Sequence, residues 1–154
     1  MPFRLLTLLV AAALAGGCGD SSPTAVSIEQ TTFDASLGVD LAQSTKLASG
    51  LYYRDITVGT GTTLASGQTV AMHYVGNFAN GQQFDSNVAP TLPYSFTLGV
   101  GQVIKGWDLG LVGMKVGGRR QLIIPPELAY GPNDFRSIPG NSVLVFTVDA
   151  VSAQ

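Results

Sequence analysis

The amino-acid sequence predicts an α+β domain in which an antiparallel sheet wraps around one short helix. Two patterns support this fold class. From Leu51 onward, short runs of strand-forming residues alternate with glycine-containing turns. Only the segment around Trp107 spaces its apolar residues as one face of a helix does. We assign this domain to residues 48–154.

The first segment, residues 1–17, has the pattern of a secretory signal peptide of the lipoprotein type. Arg4 precedes an apolar run that is too short to span a bilayer as a stable helix. Small residues then lead to Cys18, and the segment resembles a lipobox, in which the cysteine is lipidated. We therefore expect an extracytoplasmic lipoprotein, anchored at Cys18 to a membrane of a bacterial cell envelope. The alternative is cleavage after Ala15, which leaves Cys18 as a free thiol.

Residues 18–47 are rich in Ser, Thr, Ala and Gln and contain few large apolar residues. This composition predicts a flexible tether with a marginal helix at residues 37–47. A tether of this kind would hold a lipid-anchored domain away from the membrane.

The strands follow, bounded by glycine and proline. They are predicted at residues 51–58, 69–76, 82–84, 93–98, 119–124 and 142–151. Asn80-Gly81 indicates a hairpin turn before the third strand, and Pro125-Pro126 ends the fifth. In the last strand Leu144, Phe146 and Val148 alternate with residues of the opposite face. The basic pair Arg119-Arg120 at the start of the fifth strand is interpreted as a solvated face.

The single helix is predicted before the fifth strand. Its apolar face is formed by Val103, Ile104, Trp107 and Leu111. Gly106, Gly110 and Gly113 interrupt it, and each costs about 1 kcal/mol relative to alanine. A chain accepts such glycines where another backbone or a ligand must approach closely. Trp107 is therefore predicted to lie at the bottom of a site.

Composition excludes several function classes. The 154 residues carry a net charge of −2 with scattered charges, which predicts no nucleic-acid partner. One cysteine and one histidine, His73, cannot form a Cys/His metal cluster, and no credible Ser/His/Asp triad is present. The sequence therefore predicts no metal and no cofactor.

What remains is a set of aromatic residues near turns and strand ends, with the carboxylate of Asp85 beside Phe84. This inventory is typical of a small apolar pocket with one or two inward hydroxyl groups. Rotation about an X–Pro amide is a reaction that needs only such a pocket, because its barrier of about 18–20 kcal/mol arises from resonance. A dry pocket can bind the twisted amide better than the planar one.

Six separated blocks carry a family resemblance over residues 49–154. They are VAMHYVG at 70–76, GQQFDS at 81–86, PYSFTLG at 93–99, QVIKGW at 102–107, AYG at 129–131 and LVF at 144–146. In order and spacing they resemble the FKBP family of macrolide-binding peptidyl-prolyl cis–trans isomerases. The resemblance implies a half-barrel sheet around the helix.

The resemblance also implies residue roles. Trp107 would form the pocket floor, Tyr130 would donate its hydroxyl to a substrate carbonyl, and Asp85 would organise polar contacts at the rim; these three are the candidate catalytic residues. The candidate substrate-binding residues are Tyr74, Phe84, Tyr94, Val103, Ile104, Ile138 and Phe146. The implied partners are proline-containing polypeptides and macrolide inhibitors.

Two loops depart from the family pattern. The loop after Asp85 lacks the arginine that often pairs with this aspartate, and the loop at 131–141 has Ser137 where an apolar residue is common. Tyr130 and Phe146 are separated by only 15 residues, which leaves no room for an inserted chaperone domain. We expect a monomeric isomerase acting on extracytoplasmic proteins. The alternative is a non-catalytic module that binds proline-containing segments or acts as a chaperone.

Overall fold

The computed structural model describes residues 26–154. The signal peptide and the lipidated Cys18 that the sequence predicts lie outside these residues. The strands are β1 (Thr45–Lys46), β2 (Tyr52–Thr57), β3 (Thr69–Phe78), β4 (Gln83–Asn87), β5 (Tyr94–Thr97), β6 (Arg119–Ile124) and β7 (Leu144–Ala153). The α-helix α1 covers Lys105–Gly110. Short 3-10 helices occupy Ile28–Gln30, Ala35–Leu37, Leu41–Gln43 and Pro126–Leu128.

The strands form one antiparallel sheet with the order β1-β2-β6-β7-β3-β4, and β5 pairs with the first half of β3. The longest pairing joins β3 to β7 and sets Tyr74 opposite Val148 and Gly76 opposite Phe146. Each strand predicted from the sequence is present, with ends that shift by three residues at most. The sheet curves around α1, so the predicted fold class is confirmed.

Helix α1 lies directly against strand β6 because two of its glycines face that strand. A Cβ atom on Gly106 would come within 2.5 Å of Ile124, and one on Gly110 within 2.8 Å of both Leu122 and Leu51. Gly106 and Gly110 are therefore required by close packing, whereas Gly113 lies beyond the end of α1 and has a positive φ of 81°. The contact of the first two with the strand side chains fixes the depth of the helix in the curved sheet.

The two faces of the sheet both bury apolar residues. Leu144, Phe146 and Val148 of β7 point into the core under α1, as their alternation predicts. The opposite face of the same strand places Val143 and Val145 in a second apolar cluster. A layer of chain must therefore cover the outer face of the sheet.

That layer is the amino-terminal segment at residues 26–47, which corrects the flexible tether predicted there. Residues 18–25 of the predicted tether lie outside the described residues. From Val26 onward the chain packs on the outer face, with Ile28 buried and Phe33 and Leu37 partly buried in the second cluster. The side-chain amide of Gln121 donates to the carbonyl of Leu37 over 2.7 Å. Polar composition concealed this packing, since the apolar residues of the segment are few and irregularly spaced. The predicted helix at 37–47 is replaced by separate 3-10 turns and strand β1.

Within residues 26–154, no helix has the length and apolar character needed to cross a membrane.

Candidate functional site

The main cavity opens on the inner side of the sheet, over α1. It has a volume of about 600 Å³. Strand β3, strand β4, the start of α1 and the chain on either side of Gly131 all contribute to its walls. Its lining consists of Tyr74, Asp85, Tyr94, Gly101, Gln102, Val103, Ile104, Trp107, Tyr130, Phe135, Arg136 and Phe146.

The floor of the cavity is Trp107, which is only 4% exposed. The centre of its ring lies 5.1 Å from the ring centre of Tyr74 and 5.3 Å from that of Phe146, and both pairs are nearly edge to face. Phe96 packs on it from the core at 5.7 Å. Edge-to-face aromatic pairs at these distances are favourable and fix ring orientation. The floor is therefore a rigid apolar surface.

Gly76 allows the rings behind the cavity to pack. A Cβ atom at this position would approach both Phe84 and Phe146 to 2.8 Å. The two rings meet edge to face at 5.5 Å across the glycine. Phe84 thereby supports Phe146, which is the ring that reaches the cavity.

One wall carries a hydrogen-bonded pair of polar side chains. The hydroxyl of Tyr74 donates to the carboxylate of Asp85 over 2.9 Å. Burial raises the pKa of the Tyr74 hydroxyl above its ordinary value, and the bond to Asp85 raises this pKa further. Tyr74 therefore stays protonated at neutral pH and holds the carboxylate at the rim.

Tyr130 also lines the cavity, and it follows the 3-10 turn Pro126–Leu128. The ring of Tyr130 stacks on Phe135 at 4.7 Å, with only 9° between the two planes. Burial raises the pKa of its hydroxyl, and the negative charge of Asp85 acts in the same direction. No other residue among 26–154 hydrogen-bonds this hydroxyl. Tyr130 thus presents a protonated donor to the cavity.

The loop before α1 is held in place by two side chains. The carboxylate of Asp108 accepts from the backbone N–H of Gly99 over 2.7 Å and from that of Gly101 over 2.8 Å. The side-chain carbonyl of Gln102 accepts from the N–H of Thr97 over 2.8 Å. These contacts position Gln102 and the following Val103 and Ile104 along the cavity edge.

The cavity brings together most of the predicted site residues. Those that line it are Trp107, Tyr130, Asp85, Tyr74, Tyr94, Val103, Ile104 and Phe146. Tyr94 stands at the rim, 42% exposed. Phe84 and Ile138 belong to the core behind the cavity instead and are not part of its lining.

Gln102, Phe135 and Arg136 also line the cavity, and the sequence reasoning did not select Arg136 or Phe135 for it. Both lie in the loop at 131–141, where alternation and helical spacing give no signal of orientation. The stacking of Phe135 on Tyr130 depends on the path of that loop. The only signal was the aromatic side chain itself.

The site holds no set of residues for covalent or metal chemistry. Among residues 26–154, no three His, Cys, Asp or Glu side chains are grouped to hold a metal ion. The cavity lining contains no serine, cysteine, lysine or histidine side chain. The arrangement can bind an apolar group on Trp107, exclude water from it and donate hydrogen bonds at its edges.

Comparison with known sequences agrees with this geometry. Residues 61–151 match the family of FKBP-type peptidyl-prolyl cis-trans isomerases. FK506-binding protein 4 of Gibberella zeae is 50% identical over 107 residues, which are 70% of this chain and 21% of that protein. FK506-binding protein 4 of Rhizopus delemar is 52% identical over 112 residues, or 70% of this chain and 28% of that protein. The chain therefore spans less than a third of the length of these relatives.

Solved structures give the same result for the fold. The crystal structure of FkpA from Escherichia coli superposes with a TM-score of 0.67 and 38% identity, covering 73% of this chain and 52% of that one. The crystal structure of AtFKBP13 superposes with a TM-score of 0.66 and 40% identity, covering 72% of this chain and 98% of that one. The fold is thus FKBP-like, as the sequence resemblance implied. Since the family match extends over more than half of its residues, the chain belongs to the family of FKBP-type peptidyl-prolyl cis-trans isomerases.

Proposed function

We propose that this chain accelerates the cis–trans isomerisation of X–Pro bonds in proteins outside the cytoplasm. The observation that carries the catalytic part is the aromatic cavity, whose lining includes both the buried ring of Trp107 and the side chain of Tyr130. A proline ring fits the apolar floor, and the preceding carbonyl then lies within the reach of a donor. Membership of the isomerase family supports this assignment.

The mechanism follows from the loss of resonance during rotation. A planar X–Pro amide spreads its nitrogen lone pair onto the carbonyl, and the twisted amide does not. The dry floor around Trp107 removes water that stabilises the polarised planar form. A hydrogen bond from Tyr130 can hold the carbonyl as it turns. The cavity therefore lowers the barrier to the extent that it binds the twisted amide more tightly than the planar one.

Catalysis is tested by measuring cis-to-trans exchange of a short Leu-Pro peptide by NMR in the presence of the full chain. We expect acceleration that disappears when a macrolide inhibitor is added. A folded, macrolide-binding chain that leaves the exchange rate unchanged would contradict the isomerase and support a module that only holds proline-containing segments.

We also propose that the chain is a bacterial lipoprotein that acts at a membrane of the cell envelope. The support is confined to residues 1–18, with an apolar run that follows Arg4 and small residues before Cys18. The curated relatives described above are fungal and give no support to a bacterial lipoprotein.

Expression of the chain and of Cys18→Ala in a bacterium tests the anchor. The unchanged chain is expected to partition into the membrane fraction with a mass increased by lipid, and Cys18→Ala is expected to lose both properties. Membrane partitioning of Cys18→Ala with an unmodified mass would exclude lipidation at this residue.

A further inference from the structure

The loop at 131–141 carries a strained turn at the mouth of the cavity. Phe135 and Ile138 exchange two backbone hydrogen bonds of 2.9 Å each, which leaves Arg136 and Ser137 as the two central residues of a tight turn. Arg136 has a φ of 53°. Glycine usually takes the first central position of a two-residue turn with positive φ. Strain of this kind is often retained where it serves a site.

The turn directs a cation towards the cavity. The guanidinium of Arg136 lies 5.4 Å from the centre of the Phe135 ring, and Phe135 is itself stacked on Tyr130. Arg136 is the only positively charged residue of the cavity lining that the structure describes. Within residues 26–154 no carboxylate lies within ion-pair distance of it. Its charge is therefore available to a bound ligand.

The other charged residue of the cavity lining, Asp85, already has a hydrogen-bond partner. Asp85 accepts a hydrogen bond from the hydroxyl of Tyr74. Asp85 raises the pKa of the Tyr130 hydroxyl and Arg136 lowers it, with the effect of Asp85 the larger. The positive side of the cavity therefore lies at Phe135, beside the guanidinium of Arg136.

The position of the bound substrate determines which of its side chains lies near the positive side of the cavity. Under the proposed function, on which this step rests, Tyr130 bonds the carbonyl of the residue before proline. We propose that the side chain of that residue extends towards Phe135, and that Arg136 there favours an acidic side chain, Asp or Glu, over its neutral amide counterpart immediately before proline.

The preference is measured with two blocked peptides that differ only in having Glu or Gln before proline. Exchange NMR gives the catalytic efficiency, and quenching or enhancement of Trp107 emission gives the dissociation constant. For the full chain we expect Glu-Pro to exceed Gln-Pro by about two- to five-fold, as for an exposed ion pair. The ratio is expected to fall towards one as the ionic strength rises to about 0.5 M.

Variants separate the charge from the shape of the turn. In Arg136→Gln the Glu/Gln ratio is expected to fall to about one, and in Arg136→Lys it is expected to stay above one. Arg119→Gln changes the net charge equally but lies outside the cavity lining, so it should retain the full ratio. The ratio compares two substrates on one protein, and any general change in activity cancels.

Equal efficiencies and equal affinities for the two peptides on the unchanged chain would overturn the selectivity. A preference that persists in Arg136→Gln would also overturn it. If no peptide is isomerised, the proposed activity fails, but the ratio of the two dissociation constants still tests the role of Arg136.

Discussion

Tyr130 and Tyr74 show how two identical side chains obtain different tasks from their surroundings. Tyr74 donates its hydroxyl to Asp85 and is part of the fixed wall. Tyr130 stacks on Phe135 and keeps its hydroxyl for a ligand. The sequence resemblance implied the second role, but it did not identify the bond that restrains Asp85.

The donor role of Tyr130 predicts the effect of Tyr130→Phe. Macrolide affinity should fall by about 0.5–1.5 kcal/mol, the typical net contribution of one hydrogen bond. Titration monitored by Trp107 emission measures this change. Tyr53→Phe is the matched control, because Tyr53 lies outside the cavity lining. Equal affinities for Tyr130→Phe and the unchanged chain would rule out the donor.

The raised pKa of Tyr74 predicts a contribution to stability at alkaline pH. The folded protein favours the neutral hydroxyl, so this contribution is complete below a pH of about 10, the ordinary pKa of tyrosine. It is lost as pH rises from there towards the folded-state pKa, because the unfolded chain ionises first. Denaturant unfolding measured between pH 8 and 11 should therefore show that Tyr74→Phe loses less stability with rising pH than the unchanged chain does. The slopes of the two curves should differ by about 2.303RT per pH unit at most.

Other ionisable groups, including Tyr52 and Lys46, are the same in both proteins, and the difference between the two curves isolates Tyr74. Parallel curves for Tyr74→Phe and the unchanged chain would contradict the role of burial at this residue.

At the scale of elements, the end of helix α1 depends on a residue that the sequence did not reveal as structural. Arg120 of β6 is 4% exposed, although the pair Arg119-Arg120 reads as a solvated face. Its guanidinium forms a two-pronged ion pair with Asp55, at 2.6 and 2.9 Å. It also donates to the carbonyl of Gly110 over 2.8 Å. Only the tertiary position of the helix end makes a buried arginine necessary here.

Matched substitutions of the two neighbouring arginines test this difference. Arg120→Gln should lower the free energy of unfolding by about 2 kcal/mol, because the partly exposed carboxylate of Asp55 and the carbonyl of Gly110 lose their buried partner. Arg119→Gln removes an ion pair to Asp149 that is half exposed, and should cost less than about 1 kcal/mol. Equal losses in urea denaturation would contradict the role of Arg120 in holding α1.

Glycine and proline predicted the ends and the packing of two elements well. Strand β6 has the predicted bounds, and the glycines of α1 make the close approach that their presence indicated. Most of the cavity residues could be selected because the family resemblance implied them, and helical spacing pointed to Trp107 in addition. Phe135 and Arg136 could not, since a loop has no repeating direction and its side chains are oriented by tertiary contacts.

At the scale of the whole molecule, the sheet is covered on both faces. The sequence predicted only the inner layer. Val143, just before β7, and Val145 within it gave an indication of the second layer, because they are apolar and lie on the face opposite Leu144 and Phe146. The covering residues are scattered singly among polar ones, and composition alone therefore suggested a tether.

The second layer predicts that the amino-terminal segment contributes to stability. Ile28→Ala should lower the free energy of unfolding by about 2–4 kcal/mol, since Ile28 is 2% exposed in the second cluster. Val58→Ala is the control, because Val58 is 68% exposed and should change stability by less than about 0.5 kcal/mol. Thermal or urea unfolding measures both. If Ile28→Ala loses no more stability than Val58→Ala, the amino-terminal segment does not stabilise the fold, and the predicted flexible tether would be favoured.

The central claim is that the cavity over Trp107 is the place where an X–Pro bond is bound and turned. The most direct measurement titrates a Leu-Pro peptide into the full chain and records Trp107 emission and the catalysed exchange rate in the same samples. We expect the change in emission and the catalysed rate to saturate at the same peptide concentration, since one bound complex produces both signals. A macrolide is expected to abolish both in parallel. Acceleration that saturates without any change in the emission of this single tryptophan would place the reaction elsewhere on the molecule and contradict the account.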